Sequence, residues 1–369
     1  MVGLSAVSAG VLGLATGACV GYAVRRARLC TFGAIESALV GGDWRRMKVF
    51  GLALAIALIG TQALIVAGLL AESQMTLLPP RVAWLSTLAG SILFGLGMAL
   101  VGTCAFGSLV RLGGGDLRSL VTLMIFGAVG FMTLRGVLSA LRIDWLEPVA
   151  FAVPGGGPGS LHGMAAHVTS LDMRFPLVAL VSGLLLLAVA RDRRLRHSPR
   201  LITAAVVLGL GVVAGWIVTG VLVDDFSHPR PQSLTFVSPV ARGLYASLLG
   251  MGDWLDFTVL SVPGVVAGSY LAALGGAEFR WEAFDDHHEM RRHLLGAALM
   301  GFGGVLAGGC TIGQGVTAGS LLAVSWPLAV LGMMFGARLG LVFLVEGSVR
   351  DIVANRFRRW GGARDAPAE

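Results

Sequence analysis

Two cysteines open the reading: Cys104 in "GTCAFGS" (102–108) and Cys310 in "GGCTIGQ" (308–314). Each interrupts an apolar run and stands among glycines, Gly102 and Gly107 around the first, Gly309 and Gly313 around the second. Glycine weakens a helix by about 1 kcal/mol per residue relative to alanine, so these are places where a helix stops. A broken helix exposes backbone N–H groups and the positive end of its dipole, which suits an anion. Glycine also lets the backbone approach closely. A thiol in apolar surroundings stays protonated and offers a weak S–H donor. Weak donors in series hold an anion without trapping it, which conduction requires. The chemistry on offer is passage of a large, soft, sulfur-bearing anion.

Other residues stand close to these. Cys30 follows a basic cluster and precedes a short apolar segment carrying Glu36, which either fixes a helix end, pairs with an arginine or takes part in transport. Arg111 and Gln314 follow the two repeated cysteines, placed to orient a substrate or to satisfy broken-helix carbonyls. Arg135 and Arg338 lie near or inside apolar segments, where they line a polar path, snorkel or hold carbonyls. Cys19, within the first apolar run, reads as a small hydrophobe. No cysteine lies in a CxxC pair or near a histidine cluster, so neither zinc nor a disulfide framework is expected. His287 and His288, in "FDDHHEM" (284–290), read as solvated surface.

The elements that must position these residues are membrane helices. Of 369 residues, 55% are hydrophobic and 13% charged, with mean hydropathy +0.80; a soluble domain carries about 25% charge. Apolar runs of about bilayer-spanning length recur over 3–24, 49–70, 83–103, 118–140, 175–190, 201–222, 255–274, 293–309 and 325–347. The first lacks the basic flank of a secretory signal and reads as a retained helix. With nine spans, alternate loops divide the basic residues 21 to 4. The positive-inside rule then puts the N-terminus outside, the C-terminus in the cytoplasm and the loop 141–174 outside. The formal charge of +7 is this bias, and no nucleic-acid partner is expected.

A repeat links the two breaks. Residues 90–108 and 296–314, offset by 206, share Gly90/Gly296, Gly95/Gly301, Gly97/Gly303, Gly102/Gly308, Cys104/Cys310 and Gly107/Gly313. A weaker echo pairs Thr31 with Thr235 and Phe32 with Phe236, and there Cys30 faces Leu234. The two copies cross in opposite senses, so the halves are expected to be inverted repeats, with the site near the midplane. The segments 31–41, 104–112, 238–249 and 310–320 are too short to cross and read as re-entrant half-helices. The expected division is a first repeat (1–140), an outer loop with a connecting helix (141–200), a second, inverted repeat (201–347) and a cytoplasmic tail (348–369).

"RRARLCTFGA" (25–34), "GTCAFGSLVRLGGG" (102–115), "SLTFVSP" (233–239) and "GGCTIGQG" (308–315) resemble the YeeE/YedE family of bacterial inner-membrane proteins, which includes transporters of thiosulfate. The resemblance implies an all-α polytopic protein of nine spanning and four re-entrant helices, pinched like an hourglass. It implies uptake of thiosulfate across the inner membrane by relay along Cys30, Cys104 and Cys310, with no cofactor and no enzymatic turnover. A small cytoplasmic sulfur carrier of the TusA kind often works beside family members. The loop 141–174 looks like an elaboration. Two alternatives stay open: passage of another sulfur or selenium anion, and a membrane thiol–disulfide oxidoreductase.

Overall fold

The computed structural model describes residues 6–153, 156–169, 171, 173–223, 230–250 and 256–346. The tail 348–369 and part of the loop 141–174 lie outside these. The chain is almost wholly helical: α1 (Ala6–Arg26), α2 (Thr31–Leu39), α3 (Arg45–Val66), α4 (Trp84–Val101), α5 (Ala105–Gly113), α6 (Leu117–Arg135), α7 (Leu161–Thr169), α8 (Arg174–Ala190), α9 (Pro199–Ile217), α10 (Val237–Leu249), α11 (Phe257–Gly275) and α12 (His287–Leu306). Then come α13, helical over 311–320 and π-wound across Gly313–Ala318, and α14 (Ser325–Glu346). The one sheet among the described residues pairs Arg81–Val82 with Phe151–Ala152, antiparallel.

Long apolar sequence forces this outcome, because in lipid every backbone polar group must be satisfied within its own segment. Seven helical stretches are long and apolar enough to cross a membrane: Val7–Leu39, Arg45–Val66, Trp84–Gly113, Leu117–Arg135, Pro199–Leu222, Phe257–Gly275 and Ser325–Leu344. The apolar α8 is shorter, and α12 opens on the charged turns "HHEMRRH". Each of the nine segments expected as a span is helical over most of its described residues, and the protein is a multi-pass, all-α membrane protein. The four segments expected as half-helices are α2, α5, α10 and α13.

Packing between the helices follows the glycines. Gly13, Gly17 and Gly21 line one face of α1 and lie against the backbone of Phe257, Ser261 and Val265 in α11, so the two helices run parallel at close range. Helices α4 and α12 run antiparallel through a reciprocal contact. A Cβ on Gly90 would lie 2.7 Å from the Gly303 oxygen, and one on Gly303 would lie 2.6 Å from the Gly90 oxygen. Gly97 and Gly296 approach in the same way, at 2.5 and 2.9 Å. Adding 206 to one member of each pair and subtracting it from the other turns the first contact into the second. The same exchange relates α4–α14 packing to α6–α12, and α5–α11 to α3–α13.

The loop expected as an elaboration is tied to the rest of the chain over its described residues. Ser160 bridges Ala323, the Leu161 N–H donates to the Leu322 oxygen at 2.7 Å, and the Val324 N–H donates to the Gly159 oxygen at 2.9 Å. Arg174 Nη2 donates to Glu72 Oε1 at 2.7 Å beside the buried His162. These contacts hold the chain end of α13 at one face of the molecule. The opposite face carries the pairs Arg28–Glu278, Arg118–Glu282 and Lys48–Asp192. There the Arg28 guanidinium, hydrogen-bonded to Glu278, holds that carboxyl below the usual carboxylate range.

Candidate functional site

Both repeated breaks are built alike. Helix α4 ends at Gly102, with φ +75° in the left-handed region, and the turn after α12 passes through Gly308 at the same φ. Glycine adopts that conformation without the penalty a Cβ brings. Two residues later a cysteine begins the next helix. Cys104 Sγ accepts the Gly107 N–H at 3.3 Å, and Cys310 Sγ accepts the Gly313 N–H at 3.4 Å. Sulfur here takes the place that serine or aspartate oxygen usually fills at a helix N-terminus. A sulfur that accepts the backbone N–H keeps its own S–H free to donate elsewhere.

The carbonyls freed at the two breaks have side-chain donors. Arg111 Nη2 donates to the Gly102 oxygen at 3.0 Å. Gln314 Nε2 donates to the Ala307 oxygen at 2.8 Å, and Gln314 Oε1 accepts from Ser325 at 3.4 Å. Of the two roles open to this pair, satisfying broken-helix carbonyls is the one the geometry displays. Arg111 is exposed, whereas Gln314 is buried.

Three helix N-termini converge on one buried spot. Cys104 Sγ donates to Thr31 Oγ1 at 3.7 Å, joining the start of α5 to the start of α2. Thr311 Oγ1 donates to Thr31 Oγ1 at 3.4 Å, adding the start of α13. Cys30, which precedes α2, sets its sulfur 3.7 Å from Thr103 Oγ1. The position a Cβ would take on Gly107 lies 3.6 Å from both Cys30 Sγ and Cys104 Sγ and against the Thr103 hydroxyl. The absence of a side chain at 107 thus gives the Thr103 hydroxyl its place beside the two thiols. Cys104 and Cys310 are fully buried, and Cys30 is half-buried. Phe106 and Phe236, ring centroids 4.9 Å apart, pack beside them. All four cysteines are free thiols.

A cavity of about 650 Å³ leads toward this spot from the face where residues 76–87 and 147–150 lie. Gly309, Gly313, Gln314 and Thr235 line it beside Cys310, and Arg81 and Arg142 line it as well. The structure therefore groups Cys30, Cys104, Cys310, Gly107 and Gly313, and places Gly102, Gly309, Arg111 and Gln314 at the breaks that hold them. It does not bring Glu36 in: that side chain is exposed, with no hydrogen bond or ion pair among the described residues. Arg135 and Arg338 are likewise exposed. Cys19 is exposed on α1 rather than buried in the interior. The sequence pattern marked Thr31 only as part of the repeat, and left Thr103 and Thr311 unremarked. Their signal was available, because each of the three site cysteines has one of them as its immediate neighbour in the chain.

Helices crossing an apolar layer, two of them broken alike beside buried thiols, define a membrane transport protein. The chain belongs to the sulphur transport family, whose profile matches residues 26–339. It is similar to the thiosulfate transporter TsuA of Escherichia coli (strain K12), 27% identical over 358 residues that cover 91% of each chain. It is also similar to the thiosulfate transporter TsuA of Spirochaeta thermophila, 26% identical over 346 residues that cover 88% of this chain and 96% of that one.

Proposed function

We propose that this protein carries thiosulfate across the bacterial inner membrane, passing the ion along Cys310, Cys104 and Cys30 without covalent change. The observation that carries the reading is the meeting of α2, α5 and α13 at their N-terminal ends, with a cysteine at the start of each. Helix N-termini supply a positive field for an anion. Uncharged thiols supply weak contacts that a soft sulfur atom can exchange at little cost. The 650 Å³ cavity beside Gly309 and Gln314 serves as the outer mouth, which makes Cys310 the first thiol met. Cys104 follows, and the half-buried Cys30 is last. The names of the two relatives support thiosulfate as the substrate.

The basic residues favour an outer N-terminus and a cytoplasmic C-terminus. In that frame residues 1–140 and 201–347 are inverted repeats, joined by 141–200, and the exchange of the glycine contacts between α4 and α12 supports the relation. The test is growth of a bacterium that lacks other thiosulfate uptake, with thiosulfate as its sulfur source. The intact protein restores growth, and Cys104→Ala or Cys310→Ala abolishes it while the protein remains in the membrane. Growth of both variants at the intact rate would remove the relay.

A further inference from the structure

Between the thiols stand three threonines whose hydroxyls the relay as stated does not use. Thr31, Thr103 and Thr311 are 8%, 1% and 7% exposed. Several helical hydroxyls elsewhere in this chain spend their proton on the carbonyl four residues back: Ser37 on Gly33 at 2.6 Å, Thr133 on Val129 at 2.8 Å, Thr219 on Gly215 at 2.9 Å. The three at the site do not. Thr31 Oγ1 accepts from Cys104 and from Thr311, and it donates to no acceptor among the described residues. Among the described residues, Thr103 Oγ1 donates to one carbonyl, that of Cys104, at 3.5 Å. The Thr311–Thr31 contact, at 3.4 Å, is far longer than the usual 2.7–2.8 Å of a good O–H···O bond. Buried hydroxyls left this loosely bonded are costly unless a further partner arrives.

Sulfur and hydroxyl alternate in space as well. Cys30 faces Thr103, Cys104 faces Thr31, and Thr31 meets Thr311, which adjoins Cys310. Cys30 and Cys104 are thus each served by a hydroxyl from a different break, not by the threonine beside it in sequence, while Cys310 joins the chain through its neighbour Thr311. A ligand that fits this pattern has one soft sulfur and hard oxygens on the same ion.

We infer that Thr31, Thr103 and Thr311 are substrate-positioning residues: their hydroxyls bind the oxygens of a sulfur-bearing oxyanion while the cysteines bind its terminal sulfur. The inference rests on the function proposed above and adds the oxygen half of the recognition. It gives the path a reason to reject sulfate, which has no soft atom for the thiols.

The experiment is uptake of labelled thiosulfate into membrane vesicles containing the full chain, measured across thiosulfate concentration. Thr31→Val and Thr311→Val are expected to raise the KM about tenfold or more, the loss of one hydrogen bond to a charged group. Thr31→Ser and Thr311→Ser, which keep the hydroxyl, stay within about twofold of the intact protein on the same scale. Valine variants that match the intact protein, beside a Cys104→Ala variant that has lost uptake, overturn the inference and leave the transport reading standing. Serine variants as impaired as the valine variants assign the effect to packing and also overturn it. Thr31→Ala and Thr311→Ala give the same comparison should valine keep the chain from the membrane. Uptake that survives Cys104→Ala removes the relay and this inference together.

Discussion

Gly102 and Gly308, 206 residues apart, both take φ +75° and both stand two residues before a buried cysteine whose sulfur accepts an N–H three residues on. One local solution is used twice. A left-handed glycine stops the helix, and a thiol starts the next one by accepting a backbone N–H. The duplication makes the breaks a property of the fold and not of either segment alone.

The close packing at Gly107 gives the sharpest substitution. Gly107→Ala adds a methyl 3.6 Å from two sulfurs and against the Thr103 hydroxyl. On helix propensity alone the change is favourable by about 1 kcal/mol. Overpacking costs about 1–3 kcal/mol, and here it displaces the Thr103 hydroxyl from beside the two thiols. Thiosulfate uptake is expected to fall about tenfold or more with the amount of folded protein unchanged, measured in vesicles normalised for protein. Undiminished uptake would show that the ion does not pass between Cys30 and Cys104.

The two left-handed glycines separate strain from contact. A residue with a Cβ at either position costs about 1–2 kcal/mol in the left-handed region. A Cβ at 102 meets nothing within 4 Å, whereas one at 308 lies 2.9 Å from Gln314 Nε2. Gly308→Ala is therefore expected to lower the Tm in detergent more than Gly102→Ala does. Thermal unfolding of the two purified variants makes the comparison, and equal shifts would discount the Gln314 contact.

Gln314 and Arg111 each serve a carbonyl freed at one of the two breaks, in unequal surroundings. Losing Gln314 leaves the Ala307 oxygen buried without its donor, at about 1–3 kcal/mol. Losing Arg111, which is exposed, lets water take over at the Gly102 oxygen. Gln314→Leu should thus destabilise clearly more than Arg111→Ala in the same unfolding measurement. The reverse order would mean that Arg111 does more than satisfy a carbonyl.

Much of this was legible in the chain itself. Apolar runs of spanning length gave the helices, since lipid leaves the backbone no other choice, and the paired glycines and cysteines gave both breaks. What escaped depends on contacts between distant segments. Cys19 sits in an apolar run that looks like interior, but only packing decides which face of α1 turns outward, and Cys19 is on that face. Glu36 looked conspicuous as a carboxylate on a half-helix, yet α2 turns it outward. Thr31 was marked only as a repeat position, and Thr103 and Thr311 not at all, because threonine is common in helices and nothing local shows that Cys30 will face Thr103, 73 residues away. The tie from Gly159–Leu161 to Leu322–Val324 is a backbone pairing, which leaves no mark in side-chain pattern.

The most direct test is initial-rate uptake of labelled thiosulfate into vesicles carrying the intact chain or one of four variants: Cys19→Ala, Cys30→Ala, Cys104→Ala and Cys310→Ala. The account predicts an unchanged rate for Cys19→Ala, whose thiol faces away from the site, and loss of uptake for Cys104→Ala and Cys310→Ala, with Cys30→Ala strongly reduced. Uptake by Cys104→Ala and Cys310→Ala at the intact rate, with the protein present in the membrane, would contradict passage of the ion from thiol to thiol.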